Sequence, residues 1–250
     1  MKVQKLLSIG NDSKTVKGEA RGYRTAVLYL APGSLSGRNV CPHATPGCLA
    51  GCLNTAGRGI ISSVQQARIK RTLAFFKDKQ AFLAQLHDEI DAHSRATRSV
   101  GMLPVARLNG TSDVPWEKLV SPIGQSLFDM FPEVHFYDYT KNVNRAYRSI
   151  HDKAWPANYR LVLSRSESNL SDCVSFLKAG GNVAMVFATK PKQELPMFWD
   201  TVAGEQNQTA SMPVIDGDKD DLRFLDPSPC VVGLRAKGKA RQDTSGFVIR

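Results

Sequence analysis

The sequence predicts a single α/β domain over residues 1–250, built as a partial (β/α)6 TIM-like barrel with parallel strands. Three observations lead to that class. Six short apolar runs are continuous rather than alternating, as expected of strands covered on both faces. Helical patterns lie between them, repeating the strand–helix unit of parallel architectures. No repeat, low-complexity tract or linker divides the chain, and 250 residues make one well-buried core rather than two α/β domains.

The elements follow in order. The run at 25–31 (TAVLYLA) leads into a polar loop that holds three cysteines. Residues 63–99 show the clearest helical spacing, with Ile69, Leu73 and Phe76 followed by Phe82, Leu86 and Ile90. Lys77–Asp78 divides that stretch into two helices. A strand at 103–108 (LPVARL) precedes a helix at 116–131 (WEKLVSPIGQSLFDMF). A strand at 134–139 (VHFYDY) and a helix at 142–151 come next, then a strand at 159–164 (YRLVLS). The helix at 171–180 follows a Ser- and Asn-rich N-cap region and stops at Gly180–Gly181. The fifth and sixth runs lie at 182–188 and 230–235. Between them a longer polar segment, 190–221, carries a short extra strand at 213–217 (PVIDG).

Composition narrows the setting. Apolar content of 42% and charge of 22% are ordinary for a soluble globular protein. No stretch approaches the ~20 apolar residues of a membrane span. The amino-terminal residues lack a long apolar run and a small-residue cleavage site, so the expectation is a cytoplasmic protein with no membrane partner. A net charge of +10 points to a polyanionic partner, a nucleic acid or nucleotide. The densest basic segment holds Arg235, Lys237, Lys239 and Arg241, with Phe247 nearby. Five cysteines, an odd number, in a reducing compartment read as ligands or catalysts before disulfides.

Ligands of parallel α/β folds sit at the carboxyl ends of the strands. Those ends are polar here. Asn109, Ser112 and Asp113 follow the second run; Asp138 and Lys141 belong to the third; Ser164, Arg165 and Glu167 to the fourth; Lys190 to the fifth; Arg235 to the sixth. They are expected to converge on one face. Asp113, Lys141, Arg165 and Glu167 are the candidate catalytic residues. Asn109, Ser112, Asp138, Ser164, Lys190 and Arg235 are the candidate cofactor-binding residues.

Cys41, Cys48 and Cys52 are separated by six and three residues. The last two share a face if the segment is helical, and Pro42, Pro46 and Gly47 let Cys41 fold back toward them. Structural zinc takes four closed ligands, and only His43 offers itself as a fourth. Cys173 and Cys230 fall away from the loop. Three thiolates with an open position suit a [4Fe–4S] cluster, with zinc as the alternative.

The stretches CPHATPGCLAGCLNTAGRG, RLNGTSDVPWE, FPEVHFYDYTKN, SRSESN, VIDGDKDDLRFLDP and GLRAKGKARQDTSGFV together resemble bacteriophage proteins of the gene product 88 type, over nearly the whole chain. Their layout resembles that of radical S-adenosylmethionine enzymes. That resemblance implies a partial (β/α)6 barrel, a [4Fe–4S] cluster on the cysteine loop after the first strand, and S-adenosylmethionine on its open iron. The cysteine gaps are wider here than in that superfamily's usual motif.

Two other functions compete. Asp216, Asp218, Asp220 and Asp221 could hold Mg²⁺ in a nuclease. Zinc on the cysteine loop and the basic carboxyl terminus could make a non-catalytic nucleic-acid-binding protein, with salt-sensitive affinity. His87 and His93 read as solvent-facing or core residues, and Trp116, Trp155 and Trp199 as packing. Arg58 either balances the charge of a cluster or begins the next helix.

Overall fold

A computed structural model describes residues 5–10, 13–121, 123–190, 192–203 and 208–250. Parts of the amino-terminal stretch and of the polar 190–221 segment therefore lie outside the described residues.

The chain begins with β1 (Leu7–Ile9), α1 (Ser13–Glu19) and β2 (Tyr23–Leu28). The cysteine loop carries the short α2 (Pro46–Ala50), after which α3 (Ser62–Lys77) and α4 (Lys79–Arg98) lead to β3 (Leu103–Arg107). One turn of helix, α5 (Leu127–Met130), precedes β4 (His135–Thr140), and α6 (Val143–His151) precedes β5 (Tyr159–Ser164). Then come α7 (Leu170–Lys178), β6 (Val183–Phe187), a hairpin of β7 (Phe198–Ala203) and β8 (Gln208–Asp216), β9 (Val231–Arg235) and β10 (Val248–Ile249).

All six predicted strands form, and they stand side by side in chain order, β2-β3-β4-β5-β6-β9, every pair parallel. The extra strand exists as β8, longer than expected and parallel to β9, with β7 antiparallel outside it. At the opposite margin β1 runs antiparallel to β2. The sheet is therefore open, with antiparallel strands on both flanks, and is not a closed barrel. β10 pairs with Val186 and Phe187 at the end of β6, beyond Ala184, where the pairing with β5 ends.

Successive strands in one direction, with right-handed crossovers, place the helices that connect them on one face, while α1 lies on the other, its Gly18 against Leu222. The packing agrees. α3 and α4 cover Ala26, Leu28, Ala106, Leu108 and Phe136, while α6 and α7 cover Leu163, Val183, Met185 and Val231. The other face carries Val105, Tyr137 and Tyr139, and near the strands' amino ends it is plugged by Leu222 and Phe224. Toward the carboxyl ends that face is left as a cavity.

Asp78 terminates α3 and caps α4 through its carboxylate, which accepts the Ala81 N–H at 3.0 Å. The expected division thus falls where the sequence puts it. α4 buries Phe82, Leu86 and Ile90, as the spacing predicts. α3 does not follow its pattern: Leu73 and Phe76 are exposed, and the buried side is Arg68, Thr72 and Phe75. The predicted 116–131 helix is also replaced. A 3-10 turn at Trp116–Lys118 and a tight turn with Gly124 at φ +77° precede α5, as expected where Pro and Gly interrupt a helical pattern.

His93 is a core residue, its Nε2 lying 3.1 Å from the Arg24 carbonyl and 3.2 Å from that of Val105. His87 stays at the surface beside Asp88. Trp116 is fully buried, Trp199 nearly so, and Trp155 donates its indole N–H to the Tyr159 carbonyl at 2.7 Å.

Candidate functional site

The cysteine loop is positioned by its own caps and by two distant segments. Thr45 caps α2 with its hydroxyl, and Pro46 occupies the first turn, where its missing N–H costs nothing. Glu167 holds the loop by accepting Thr45 Oγ1 at 2.7 Å and the Gly47 N–H at 2.8 Å. Gly47 is required by this approach, since a Cβ there would run into Glu167 and Ser245. Cys48 lies on α2, while Cys52 caps the following 3-10 turn and accepts the Asn54 N–H at 3.5 Å. Cys41 accepts the Gly33 N–H at 3.4 Å.

The three sulfurs line one cavity of about 770 Å³, within the range of small-molecule sites. Burial pushes the Cys41 thiol up to about 11, and Cys52, Asp113 and Cys48 add to the rise while the Gly33 N–H opposes it. Burial also raises the Cys48 thiol, against the pull of Lys141, with Cys52 adding. Cys52 is raised by burial too, with the Asn54 N–H and Arg68 opposing. Burial thus moves all three thiols in the direction opposite to that of an activated nucleophile. Among the described residues, no three His, Cys, Asp or Glu side chains stand close enough together to hold a single metal ion. His43 is exposed and its Nε2 faces Asn142 Nδ2 at 3.0 Å, away from the cavity. Cys173 and Cys230 are buried elsewhere.

The cavity wall gathers Asn109, Ser112, Asp113, Lys141, Ser164 and Arg235 from the predicted set. Asp113 accepts the Lys141 backbone N–H at 2.9 Å and Arg145 Nη1 at 2.9 Å. Lys141 extends its ammonium to Ser164 Oγ at 3.0 Å and the Arg165 carbonyl at 2.9 Å, over the Phe247 ring. Burial lowers its pKa, while Cys48, Cys173 and Asp113 resist that fall. Asn109 organises its loop: its Oδ1 accepts from Ser112 Oγ, the Val114 N–H and Trp116 Nε1.

Four predicted residues stand outside this wall. Glu167 clamps the cysteine loop from behind, as described. Arg165 turns to the Gly246 and Phe247 carbonyls at 2.9 and 3.1 Å. Lys190 is exposed, beside Gln193. Asp138 points to the helix side of β4, fully buried, and accepts from the Asn109 backbone, Asn109 Nδ2 and Tyr159 Oη. Burial raises it to about 7 although Arg107 and these bonds pull it down.

The acidic 216–221 segment differs most from expectation. It folds inward, and each carboxylate meets a cation. Arg235 pairs with Asp216 and Asp218, Lys14 and Lys237 with Asp218, Arg21 and Arg223 with Asp220, and Arg107 with Asp221. Asp221 also accepts Tyr137 Oη at 2.7 Å and Tyr139 Oη at 3.3 Å. Burial favours its protonation, but Arg107, Lys14 and Arg223 outweigh that and hold it at about 2. All four carboxylates are thus already held by cations of this chain.

Residues that sequence reasoning missed complete the wall: Tyr29, Arg68, Arg71 and Arg107 among them. Arg107 lies two residues before the candidate Asn109, and Tyr29 lies inside the 25–31 run that was read only as a strand. Arg68 gives no signal beyond an arginine inside an amphipathic helix.

The fold and the cavity define an open, mostly parallel α/β protein with a three-cysteine site at the carboxyl ends of its strands. A family model described as gene product 88 matches residues 3–250. The chain belongs to that family. No curated protein and no solved structure matches it. Among the described residues no helix is long and apolar enough to cross a membrane.

Proposed function

We propose that this protein is an iron–sulfur enzyme in which Cys41, Cys48 and Cys52 hold a [4Fe–4S] cluster at the mouth of a partial barrel. The observation that carries this reading is that three thiols from one loop line a single cavity at the strands' carboxyl ends. Zinc holds sulfurs at about 2.3 Å, which brings them roughly 4 Å from one another. A cluster of several irons spreads its thiolate ligands wider than that, along a wall such as the one these three cysteines line. Lys141 beside Cys48 supplies positive charge against the thiolates such a cluster requires. A cluster held by three cysteines would supply an iron open to ligand. S-adenosylmethionine is the candidate for that position, and a nucleotide or nucleic acid is the candidate substrate.

The competing readings have less to stand on. The carboxylates offered to Mg²⁺ are ion-paired. In the basic carboxyl terminus Arg235 and Lys237 turn inward to Asp218, which leaves Lys239 and Arg241 exposed for phosphate contact.

Anaerobic purification tests the proposal. The protein is expected to be brown, to absorb near ~400 nm and to contain iron and sulfide, and to lose both when the three cysteines are changed to serine. A colourless protein with stoichiometric zinc would overturn it.

A further inference from the structure

We propose that the cavity wall formed by α3 is an oxyanion subsite, in which Arg68 anchors the phosphate or carboxylate of an organic ligand. Arg68 is only 6% exposed, yet it lines the cavity. Its guanidinium is fixed from two sides. Nη1 donates to Asn54 Oδ1, and the plane lies over the Tyr29 ring, 4.7 Å from its centroid. Tyr29 in turn packs on the backbone of Gly110, where a Cβ would stand 2.5 Å from the ring.

What this built position lacks is a counterion. Arg107 is paired with Asp221, Arg145 with Asp113 and Glu117, and Arg223 with Asp220 and Asp226. Among the described residues no carboxylate pairs with Arg68, and its Nε has no hydrogen-bond partner. A buried, unpaired charge is strongly unfavourable, and a bound anion removes that penalty. The planar fork of arginine suits two-oxygen groups, carboxylate and phosphate alike.

The surroundings agree with an anionic ligand that has an apolar body. Eight Lys and Arg side chains line the cavity against three Asp. Those three, Asp113, Asp218 and Asp221, are all engaged by cations. Leu49, Leu53, Val64 and Phe247 supply apolar surface. The inference uses the cavity of the proposed function but not its metal.

The test uses the full chain, metal-free and as purified, with inorganic phosphate and succinate as probes, read by calorimetry and thermal shift. Saturable binding of at least one anion is expected in both preparations, and the preferred anion identifies the group. Arg68→Met should weaken binding about tenfold, the loss of one charge-assisted contact. It should also raise the melting temperature of the ligand-free protein by removing an uncompensated charge. Arg95→Met, on the exposed side of α4, should change neither. Where Arg68→Met does not fold, Arg68→Lys keeps the charge and loses the fork, and weaker binding at an unchanged melting temperature is expected. Absence of saturable binding by either anion, or wild-type affinity in the Arg68 variant, overturns the subsite. Iron and zinc analysis of the same samples decides the cluster question separately.

Discussion

Asp138 shows how one residue can serve a site without facing it. It was singled out as a strand-end carboxylate, and the pleat turns it to the helix side, where it fixes Asn109 and so the loop that carries Ser112 and Asp113. Its carboxyl holds a proton up to about 7, whereas in the unfolded chain it ionises near 4. Between those values the folded state binds the extra proton, so this group's stabilisation is lost as pH rises through the window. Asp138→Asn should therefore gain in melting temperature relative to wild type from pH 4 to pH 7. A constant difference across that range would contradict the buried proton. The candidate residues were legible as types at strand ends. Which side of the strand each would take was not, because a shift of one residue reverses the face.

At the scale of elements, the six strands and the break at Asp78 could be read directly, since continuous apolar runs and a capping residue are local signals. The inward side of α3 could not. Its apolar spacing marks Leu73 and Phe76, but the helix turns Arg68 and Thr72 inward, with Thr72 Oγ1 accepting the Ala31 N–H at 2.8 Å. The inward side of α3 thus mixes the Arg68 cavity wall with a hydroxyl that satisfies the backbone, a pattern that apolar periodicity does not mark. The acidic segment was equally opaque, because its partners Lys14, Arg107 and Arg235 come from three distant places in the chain. Removing its central carboxylate should be costly. Asp221→Ala leaves Arg107 buried and unpaired and two tyrosine hydroxyls without their acceptor, so a loss of about 3–5 kcal/mol in urea unfolding is expected. A loss below 1 kcal/mol would mean that the plug is not part of the core.

For the whole molecule, one continuous sheet joins nearly all strands to two helix-side cores that meet along it. Thermal unfolding should accordingly be a single cooperative transition, with circular dichroism and tryptophan fluorescence giving the same midpoint. Two separated midpoints would divide the chain into independent units. The carboxyl terminus returns to the middle of this sheet as β10, and Phe247 packs near Cys48 and under Lys141. Residues about two hundred positions apart thus share the site, a relation no local pattern reveals. One detail of the helix layer bears on what a ligand does there. The only residue between the cavity's long wall and the helix buried beneath it is Asp78, which belongs to the caps of both. Such a joint leaves no spare chain between the two helices, so a ligand that presses on the wall presses on the buried helix with it.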